Sequence, residues 1–292
     1  MRLKGIPVRD AVFAELKIRM KTAPRRPGLA VVLVGDDAAS AVYVRHKEKG
    51  CDEVGFHHVT HRLPASTPEA EVLALIETLN NDQAIDGILV QLPLPKGMDQ
   101  DKVLMSVLPE KDVDGFHPVN LGRLVAGNPG FVPCTPKGIL RMLSHYGISM
   151  AGKNVAVVGR SVIVGRPLSL LLSLKSDEGN ATVTMCHSGT KDLSAVTRAA
   201  DVVVAAIGVP RMIGREAVGE GAVVVDVGIN RIEAPERKSG TRLVGDVDFD
   251  ELLGHASAMT PVPGGVGPMT IAMLLENTWE AMCRAEGFDG RS

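Results

Sequence analysis

The strongest constraint on what this chain can fold into is a recurring phrase: a short apolar run, a glycine or proline stop, then a segment with helical spacing. Leu29-Ala-Val-Val-Leu-Val34 ends at Gly35, Asp86-Gly-Ile-Leu-Val-Gln91 runs into Leu92-Pro93, and Val155-Ala-Val-Val158 ends at Gly159. Runs this short and this uniformly apolar suit strands covered on both faces, and helices between them are the crossovers that parallel strands require. The pattern predicts strands over residues 29–34, 56–63, 86–91, 154–158, 182–185, 202–206 and 223–226. Val8, Val12, Leu16 and Met20 recur at helical spacing. A second helix covers Ser40 to Lys47, and a third starts near Pro68 and carries Val72, Leu73, Ile76 and Leu79. Thr135 is expected to cap a helix with Pro136 in its first position, running to about residue 146. The last helix is expected over residues 270–284. Residues 109–136, dense in Gly and Pro, are expected as loop: a domain boundary, a binding loop or both. Two α/β domains are the simplest architecture.

Composition narrows the function. The chain has 292 residues and is 45% hydrophobic, enough for two modest domains with buried cores. Lys plus Arg is 32 against 34 for Asp plus Glu, a net charge of −2 without like-charge runs, so neither a nucleic-acid nor a membrane surface is expected. Anionic ligands must be caught by local sites. Aromatics are only 3% of residues, too few for stacking platforms on single strands. Cys51, Cys134, Cys186 and Cys283 are widely spaced and read as reduced thiols, with Cys134 a buried small residue rather than a nucleophile. The first residues lack an apolar signal core, and no run approaches a membrane span, so a soluble, cytoplasmic, untargeted protein is expected. His57, His58 and His61 fit a half-exposed strand better than a metal site, and no metal is expected.

Two stretches carry chemistry. In Ser40-Ala-Val-Tyr43-Val-Arg-His-Lys47 the phenol and the amine stand one helical turn apart on one face, just past the carboxyl end of a strand, where ligands gather in α/β sheets. For an isolated Tyr and Lys at this spacing, packing and solvation are the commoner roles. In Val155-Ala-Val-Val-Gly159-Arg160-Ser161-Val-Ile-Val-Gly165 a strand, a tight turn and a helix start follow each other, which brings backbone N–H groups and a positive helix end toward a phosphate. It is not Gly-x-Gly-x-x-Gly, and such turns also occur for structural reasons alone. The strand ending near Met185 is followed by Ser188, Thr190 and Lys191, with no carboxylate where an NAD site usually has one. Together with Arg160 these donors and cations suit the 2′-phosphate of NADP, although both cations could also be solvated surface charges. Gly208, Gly228 and Ile229 close later strands, where backbone can border a nicotinamide.

In order along the chain stand Val34-Gly35 with Ser40-x-x-Tyr43-x-x-x-Lys47, Asp86-Gly-Ile-Leu-Val-Gln91-Leu-Pro-Leu-Pro95 and Pro109-Glu-Lys-Asp-Val-Asp114-Gly-Phe116. Pro133-Cys-Thr-Pro-Lys-Gly138, Gly159-Arg-Ser161 with Gly165, and Pro261-Val-Pro263-Gly264-Gly265-Val-Gly-Pro-Met-Thr270 follow. This series resembles the bifunctional methylenetetrahydrofolate dehydrogenase/methenyltetrahydrofolate cyclohydrolase family over nearly the whole chain, and Gly-x-Ser is that family's usual phosphate turn. The resemblance implies an N-terminal α/β folate domain (residues 1–120 plus 268–292) and a C-terminal Rossmann-type NADP-binding domain with a parallel sheet (residues 121–267), with a cleft between them. It also implies a homodimer acting on tetrahydrofolate derivatives in one-carbon metabolism, and no room for the ligase domain of larger relatives.

By the same resemblance, Lys47 manages the proton of the cyclohydrolase water, Gln91 orients Lys47, Tyr43 stacks on the folate and Asp114 holds the pterin edge. Pro263, Gly264 and Gly265 form a backbone wall over the pterin. Gly159, Arg160, Ser161, Gly165, Ser188 and Ile229 serve the cofactor. Asp114 could instead organise its Asp-Gly turn, and Gln91 could simply close its strand. A short-chain reductase also uses Tyr-x-x-x-Lys, but there the pair follows the glycine turn rather than preceding it. A non-catalytic ligand sensor on the same frame is the other alternative, disfavoured by the presence of Lys47 and Gln91.

Overall fold

A computed structural model describes residues 1–235 and 240–290. The elements run α1 (Gly5–Arg19), β1 (Gly28–Val34), α2 (Ala38–Val54), β2 (His57–Leu63), α3 (Glu69–Asn81), β3 (Gly87–Val90), α4 (Gln100–Met105) and α5 (Pro118–Val125). Then come α6 (Cys134–His145), β4 (Asn154–Val158), α7 (Gly165–Ser173), β5 (Thr182–Cys186), α8 (Leu193–Arg198), β6 (Val202–Ala205), β7 (Val223–Asp226), β8 (Asn230–Glu233), β9 (Thr241–Val244), β10 (Ala258–Met259) and α9 (Gly267–Glu286). They form two compact units, Asp10–Cys134 with Ile271–Ser292, and Met1–Arg9 with Thr135–Thr270. Residues 236–239 and 291–292, which fall inside the expected domain ranges, lie outside the described residues. These units part at different points from the domain ranges expected above. The first residues join the second unit because Arg2 bridges Met259 and the Leu3 N–H donates to the Met259 carbonyl, extending the sheet edge.

The first unit holds a three-stranded parallel sheet in the order β2-β1-β3. Every residue of β1 and β3 is buried, which explains their unbroken apolar sequence. Ala30, Val32 and Val34 of β1 and Ile88 and Val90 of β3 pack with Val72, Ile76 and Leu79 of α3 in one core cluster. On another side of this unit α2 approaches α9 closely at Gly50, where a Cβ would press on Ile271 and Leu275 of α9 and on Phe13 of α1. The Asp37 carboxylate caps α2 by accepting from the Ser40 N–H at 2.7 Å, and Gly55 closes it in the left-handed region at φ 85°.

The second unit is built on a five-stranded parallel sheet ordered β10-β7-β6-β4-β5, with β8 and β9 paired as a separate antiparallel ribbon. Val158 aligns with Cys186 and Ala205, and Ala205 with Asp226, so the turns after β4, β5, β6 and β7 emerge along one edge. The four cysteines form no disulfide among the described residues and are buried, and burial pushes the Cys51 thiol up to about 12. Among the described residues, no helix is long and apolar enough to cross a membrane.

Three local expectations are corrected. Residues 118–125 form α5 rather than loop: the His117 ring accepts from the Val119 N–H at 3.1 Å, Pro118 fits the first turn, and Asn120 and Leu124 are buried. Helix α6 begins at Cys134, so Thr135 lies inside it instead of capping it, and Pro136 sits in the first turn where its missing N–H costs nothing. Helix α9 begins at Gly267, earlier than expected.

One buried ion pair ties the first unit together. Arg25 donates to both oxygens of Asp86 at 2.7 and 2.6 Å and to Glu286 at 2.6 Å, and Asp86 also accepts from the Gly28 N–H at 2.8 Å. Asp86 is buried, and these carboxylates raise the Arg25 pKa. Replacing Asp86 with Ala leaves the buried Gly28 N–H unpaired and Arg25 with Glu286 as its remaining carboxylate, so a loss of about 2–3 kcal/mol is expected. Arg62→Ala, which breaks a more exposed pair with Glu48, is expected to cost under about 1 kcal/mol. Urea unfolding of both variants checks the contrast; equal losses would show that Asp86 is effectively solvated.

Candidate active site

In the first unit, strand ends and one helix bring the predicted residues together. The Gln91 N–H donates to the Val32 carbonyl, continuing the β1–β3 ladder by one residue and fixing where its side chain begins. Ser40, in the first turn of α2, donates to the Leu92 carbonyl at 3.3 Å and so ties that helix to the end of β3. Lys47, farther along α2, then reaches Gln91: Nζ donates to Oε1 at 2.8 Å, while the Gln91 Nε2 donates to the Leu92 carbonyl at 2.8 Å. This second bond orients the amide so that its oxygen, not its nitrogen, faces the amine.

Asp114 arrives from the other side of β3. The Ile88 N–H donates to the Lys111 carbonyl and Ile88 bridges Asp112 in parallel, which sets Asp114 beside the same sheet. Its carboxyl is pushed up to about 6, first by burial and also by Asp112, against opposing contributions from Lys47 and from the Cys134 thiol hydrogen-bonded to it. Lys47 is driven below its ordinary 10.5 by burial, which outweighs the attraction of Asp114 and Cys134. A partly desolvated amine, a neutral acceptor holding it and a carboxyl raised by burial are the kind of groups that can exchange protons with a substrate. Tyr43 stands one turn before Lys47 on α2 and is 41% exposed, leaving its ring available.

Several contributors escaped the sequence. Asp112 is buried and accepts from the N–H groups of Gly115, Phe116 and His117 and from Asn120 Nδ2. The turn-organising role weighed above for Asp114 falls to Asp112. Asn277, buried on α9, donates to the carbonyls of Val113 and Val132 at 2.8 and 3.1 Å, pinning the chain on both sides of the Asp114 turn. Cys134 is buried, as expected, but its Sγ lies 3.4 Å from the Val113 carbonyl oxygen and borders Lys47 and Asp114. The doubled acid in Asp112-Val-Asp114-Gly was the available signal; Asn277 left none.

In the second unit the predicted cofactor residues share one sheet edge. Gly159 follows β4 at φ 127°, and a Cβ there would run into the Ala206 carbonyl; one on Gly165 would run into the Gly159 carbonyl. Ser161 Oγ accepts from the Val164 and Gly165 N–H groups at 3.1 and 3.4 Å, so the turn is closed by its own side chain. The helix start is thus partly capped from within, where free N–H groups were expected, while the Ser161 hydroxyl proton is still available to donate. Arg160, Ser161 and Ser188 are exposed, and Ile229 is 47% exposed after β7. The first carboxylate after β5, Asp192, is engaged in capping α8 through the Ala195 N–H at 2.9 Å. A close backbone turn with exposed hydroxyls and a guanidinium, and no free carboxylate, fits the phosphates of a dinucleotide.

Two buried carboxylates organise this edge. Asp226 accepts from the N–H groups of Gly228, Asp246 and Val247, and burial pushes its carboxyl up to about 6. Asp246 accepts from the N–H groups of Ile207 and Gly208 at 2.6 and 2.9 Å and from Asn230 Nδ2. Beyond β10, Pro263 is exposed, Gly264 has φ 97°, and a Cβ on Gly265 would press on Pro261 and Thr260. The Gly264 carbonyl accepts from the Gly5 N–H at 2.9 Å.

Comparison with known proteins finds matches for two long stretches of the chain. Residues 3–114 match the model of the tetrahydrofolate dehydrogenase/cyclohydrolase catalytic domain, and residues 133–286 match that family's NAD(P)-binding domain. The bifunctional protein FolD of Chlorobium phaeobacteroides is 53% identical over 288 residues, covering 95% of this chain and 97% of that protein. The crystal structure of the bifunctional FolD dehydrogenase/cyclohydrolase of Campylobacter jejuni superposes with a TM-score of 0.90 at 46% identity, covering 97% of this chain and 99% of the other. The Trypanosoma brucei enzyme, solved in complex with NADP cofactor and an inhibitor, gives 0.91 at 39% identity with 98% of each chain covered. With residues 3–114 and 133–286 matching that family's two domain models, and relatives above 50% identity along nearly the whole chain, the chain belongs to the bifunctional methylenetetrahydrofolate dehydrogenase/methenyltetrahydrofolate cyclohydrolase family.

Proposed function

We propose that this enzyme oxidises 5,10-methylenetetrahydrofolate with NADP⁺ and hydrolyses the resulting methenyl form to 10-formyltetrahydrofolate, as a homodimer in the cytoplasm. The observation that carries the reading is the 2.8 Å bond from Lys47 to Gln91 on an amine whose pKa burial depresses. Residues 1–120 with 268–292 are the proposed folate domain and 121–267 the proposed NADP domain.

Oxidation requires little from side chains. The two nitrogens flanking the methylene carbon stabilise the cation left when hydride departs, so positioning does most of the work. NADP⁺ when bound supplies the hydride acceptor. Gly159, Arg160, Ser161, Gly165, Ser188 and Ile229 are the residues proposed to hold it. NADP is preferred over NAD because Arg160 and Ser188 suit a 2′-phosphate and Asp192 is already occupied as a helix cap.

Hydrolysis requires proton management. Neutral Lys47 takes the proton from the water that attacks the methenyl carbon, and its protonated form returns a proton as the ring opens. Gln91 holds the amine in place. Asp114, in its ionised form, accepts from the amino-pyrimidine edge of the pterin, Tyr43 stacks on the folate rings, and Pro263, Gly264 and Gly265 supply a wall without bulk. A short-chain reductase is disfavoured, since Tyr43 and Lys47 precede Gly159.

Lys47→Met is expected to abolish conversion of methenyl- to 10-formyltetrahydrofolate while NADP⁺ affinity stays within about twofold. Following methenyl absorbance in the same sample measures it, and full hydrolysis by the variant would remove Lys47 from its role. Asp114→Asn is expected to weaken folate binding at least tenfold without weakening NADP⁺ binding, and equal losses would mean a structural role. The variant also tests the raised carboxyl. The native protein keeps a proton on Asp114 up to about pH 6, whereas the unfolded chain releases it near the ordinary value of 3.8, so wild-type stability falls as pH rises between those values. The unfolding midpoint of Asp114→Asn relative to wild type should therefore be higher above pH 6 than at pH 4. For Arg160→Ala, isothermal titration with both cofactors is expected to show at least tenfold loss for NADP⁺ and little for NAD⁺; an unchanged ratio would count against Arg160 as the 2′-phosphate contact.

A further inference from the structure

Arg211 and Arg231 take no part in the sites described above. Both line one cavity of about 480 Å³ in the second unit, and Arg2 and Arg242 line it too. These arginines come from four separate stretches: the N-terminal segment, the turn after β6, and the two strands of the β8–β9 ribbon. Among the described residues only Arg211 has a carboxylate partner, Asp248 at 3.8 Å, and Arg231 donates to Thr241 at 3.5 Å. The Arg2 guanidinium rests 5.3 Å from the Phe249 ring centre, a contact that leaves its N–H edge unused. In a chain of net charge −2 with interspersed signs, four guanidiniums around one cavity, three of them exposed, concentrate positive charge that a bound anion would offset.

The backbone gives a second, independent sign. Arg211 has φ 54°, and the other described non-glycine residue with positive φ is Asn180, a type that tolerates the left-handed region far better. That conformation is held by the bond from the Arg211 N–H to the Gly245 carbonyl at 3.0 Å. Gly245 in turn lies so close to the Asp226 carboxylate that a Cβ could not fit, and Asp226 anchors the N–H groups of Asp246 and Val247. An arginine held in an unfavourable conformation at a rigidly anchored cavity wall is the kind of outlier that marks a ligand site. The acidic liners are Asp226, whose oxygens these amides occupy, and Asp250, so the charged side chains left to face a ligand are mainly the four arginines, set among neutral and apolar residues.

We propose that this cavity is a binding site for a small anion carrying two or more oxyanion groups, held by Arg2, Arg211, Arg231 and Arg242. Its volume suits a metabolite-sized ligand rather than a single inorganic ion. Planar guanidiniums from different directions favour phosphate or carboxylate groups spaced along one molecule. Pro261, Val262 and Pro263 also line the cavity, so the bound anion borders the segment that leads directly into Gly264 and Gly265.

The test is calorimetric titration of the full chain, at physiological ionic strength, with tripolyphosphate and separately with citrate. Saturable binding of at least one probe, measured with the cofactor site saturated by NADP⁺, is expected, weakened at least tenfold both in Arg231→Gln/Arg242→Gln and in Arg2→Gln, while Arg62→Ala, at an exposed residue outside both sites, binds as wild type does. Binding of tripolyphosphate alone assigns a phosphorylated ligand, and binding of citrate alone a polycarboxylate. Absence of saturable binding, or equal binding by wild type and both arginine variants, would overturn the site. So would variants that change sedimentation without changing anion affinity, because the arginines would then serve a protein contact. Circular dichroism of the variants keeps a folding defect from being read as lost binding.

Discussion

The first unit depends on holding a lysine amine out of water without giving it a full counter-charge. Lys47 donates to the neutral oxygen of Gln91, and the nearby carboxyl of Asp114 is itself raised by burial. Had an ionised carboxylate sat at hydrogen-bond distance in place of Gln91, the ammonium would have been stabilised and the amine lost as a base. The amide avoids this: it supplies direction without charge. Everything that fixes Gln91 and Lys47 therefore serves one electrostatic balance, including the continued β-ladder at Val32, the Ser40 contact with Leu92 and the close approach of α2 to α9 at Gly50.

Two acids separated by one residue divide the work on the neighbouring turn. Asp112 is surrounded by N–H donors and holds the backbone through residues 115–117, while Asp114 has Cys134 as its side-chain donor and Lys47 as its nearby cation. A carboxylate with its lone pairs occupied by backbone is a poor ligand for substrate. One with few donors is costly to ionise when buried and gains most from the donor face of a pterin. The proposed specificity of Asp114 thus follows from the sacrifice of Asp112 to structure.

How much of this was legible in the sequence depended on the range of the forces involved. The parallel strands could be read because burial on both faces writes itself into consecutive residues such as Leu29-Ala-Val-Val-Leu-Val34. The pairing of Tyr43 and Lys47 on one helix was local and equally readable. Helix α5 was not, because Gly122 and the surrounding prolines mask a helical face that only Asn120 and Leu124 bury. Nor was Asn277, whose three acceptors are backbone carbonyls and a thiol far away in sequence. The β8–β9 ribbon escaped as well: its residues are polar and alternate weakly, so the pattern resembles a loop until the register Asn230 to Val244 is seen.

The same device recurs in both units, and it explains why glycines crowd the sites. Asp112 in one unit and Asp226 with Asp246 in the other are buried acids that gather backbone N–H groups from turns. To bring several amides onto one carboxylate the chain must approach it without side chains in the way, as at Gly228, where a Cβ would strike Asp246, and at Gly245, where it would strike Asp226. Sheet hydrogen bonding ends at these turns, so their stiffness cannot come from a ladder. A buried carboxylate supplies it through charge-assisted bonds to amides that would otherwise be unsatisfied. Such an anchor leaves the outward faces of the turns free of structural duty. Ile229, exposed beside the anchored Gly228, can then meet a ligand without being needed to hold the fold.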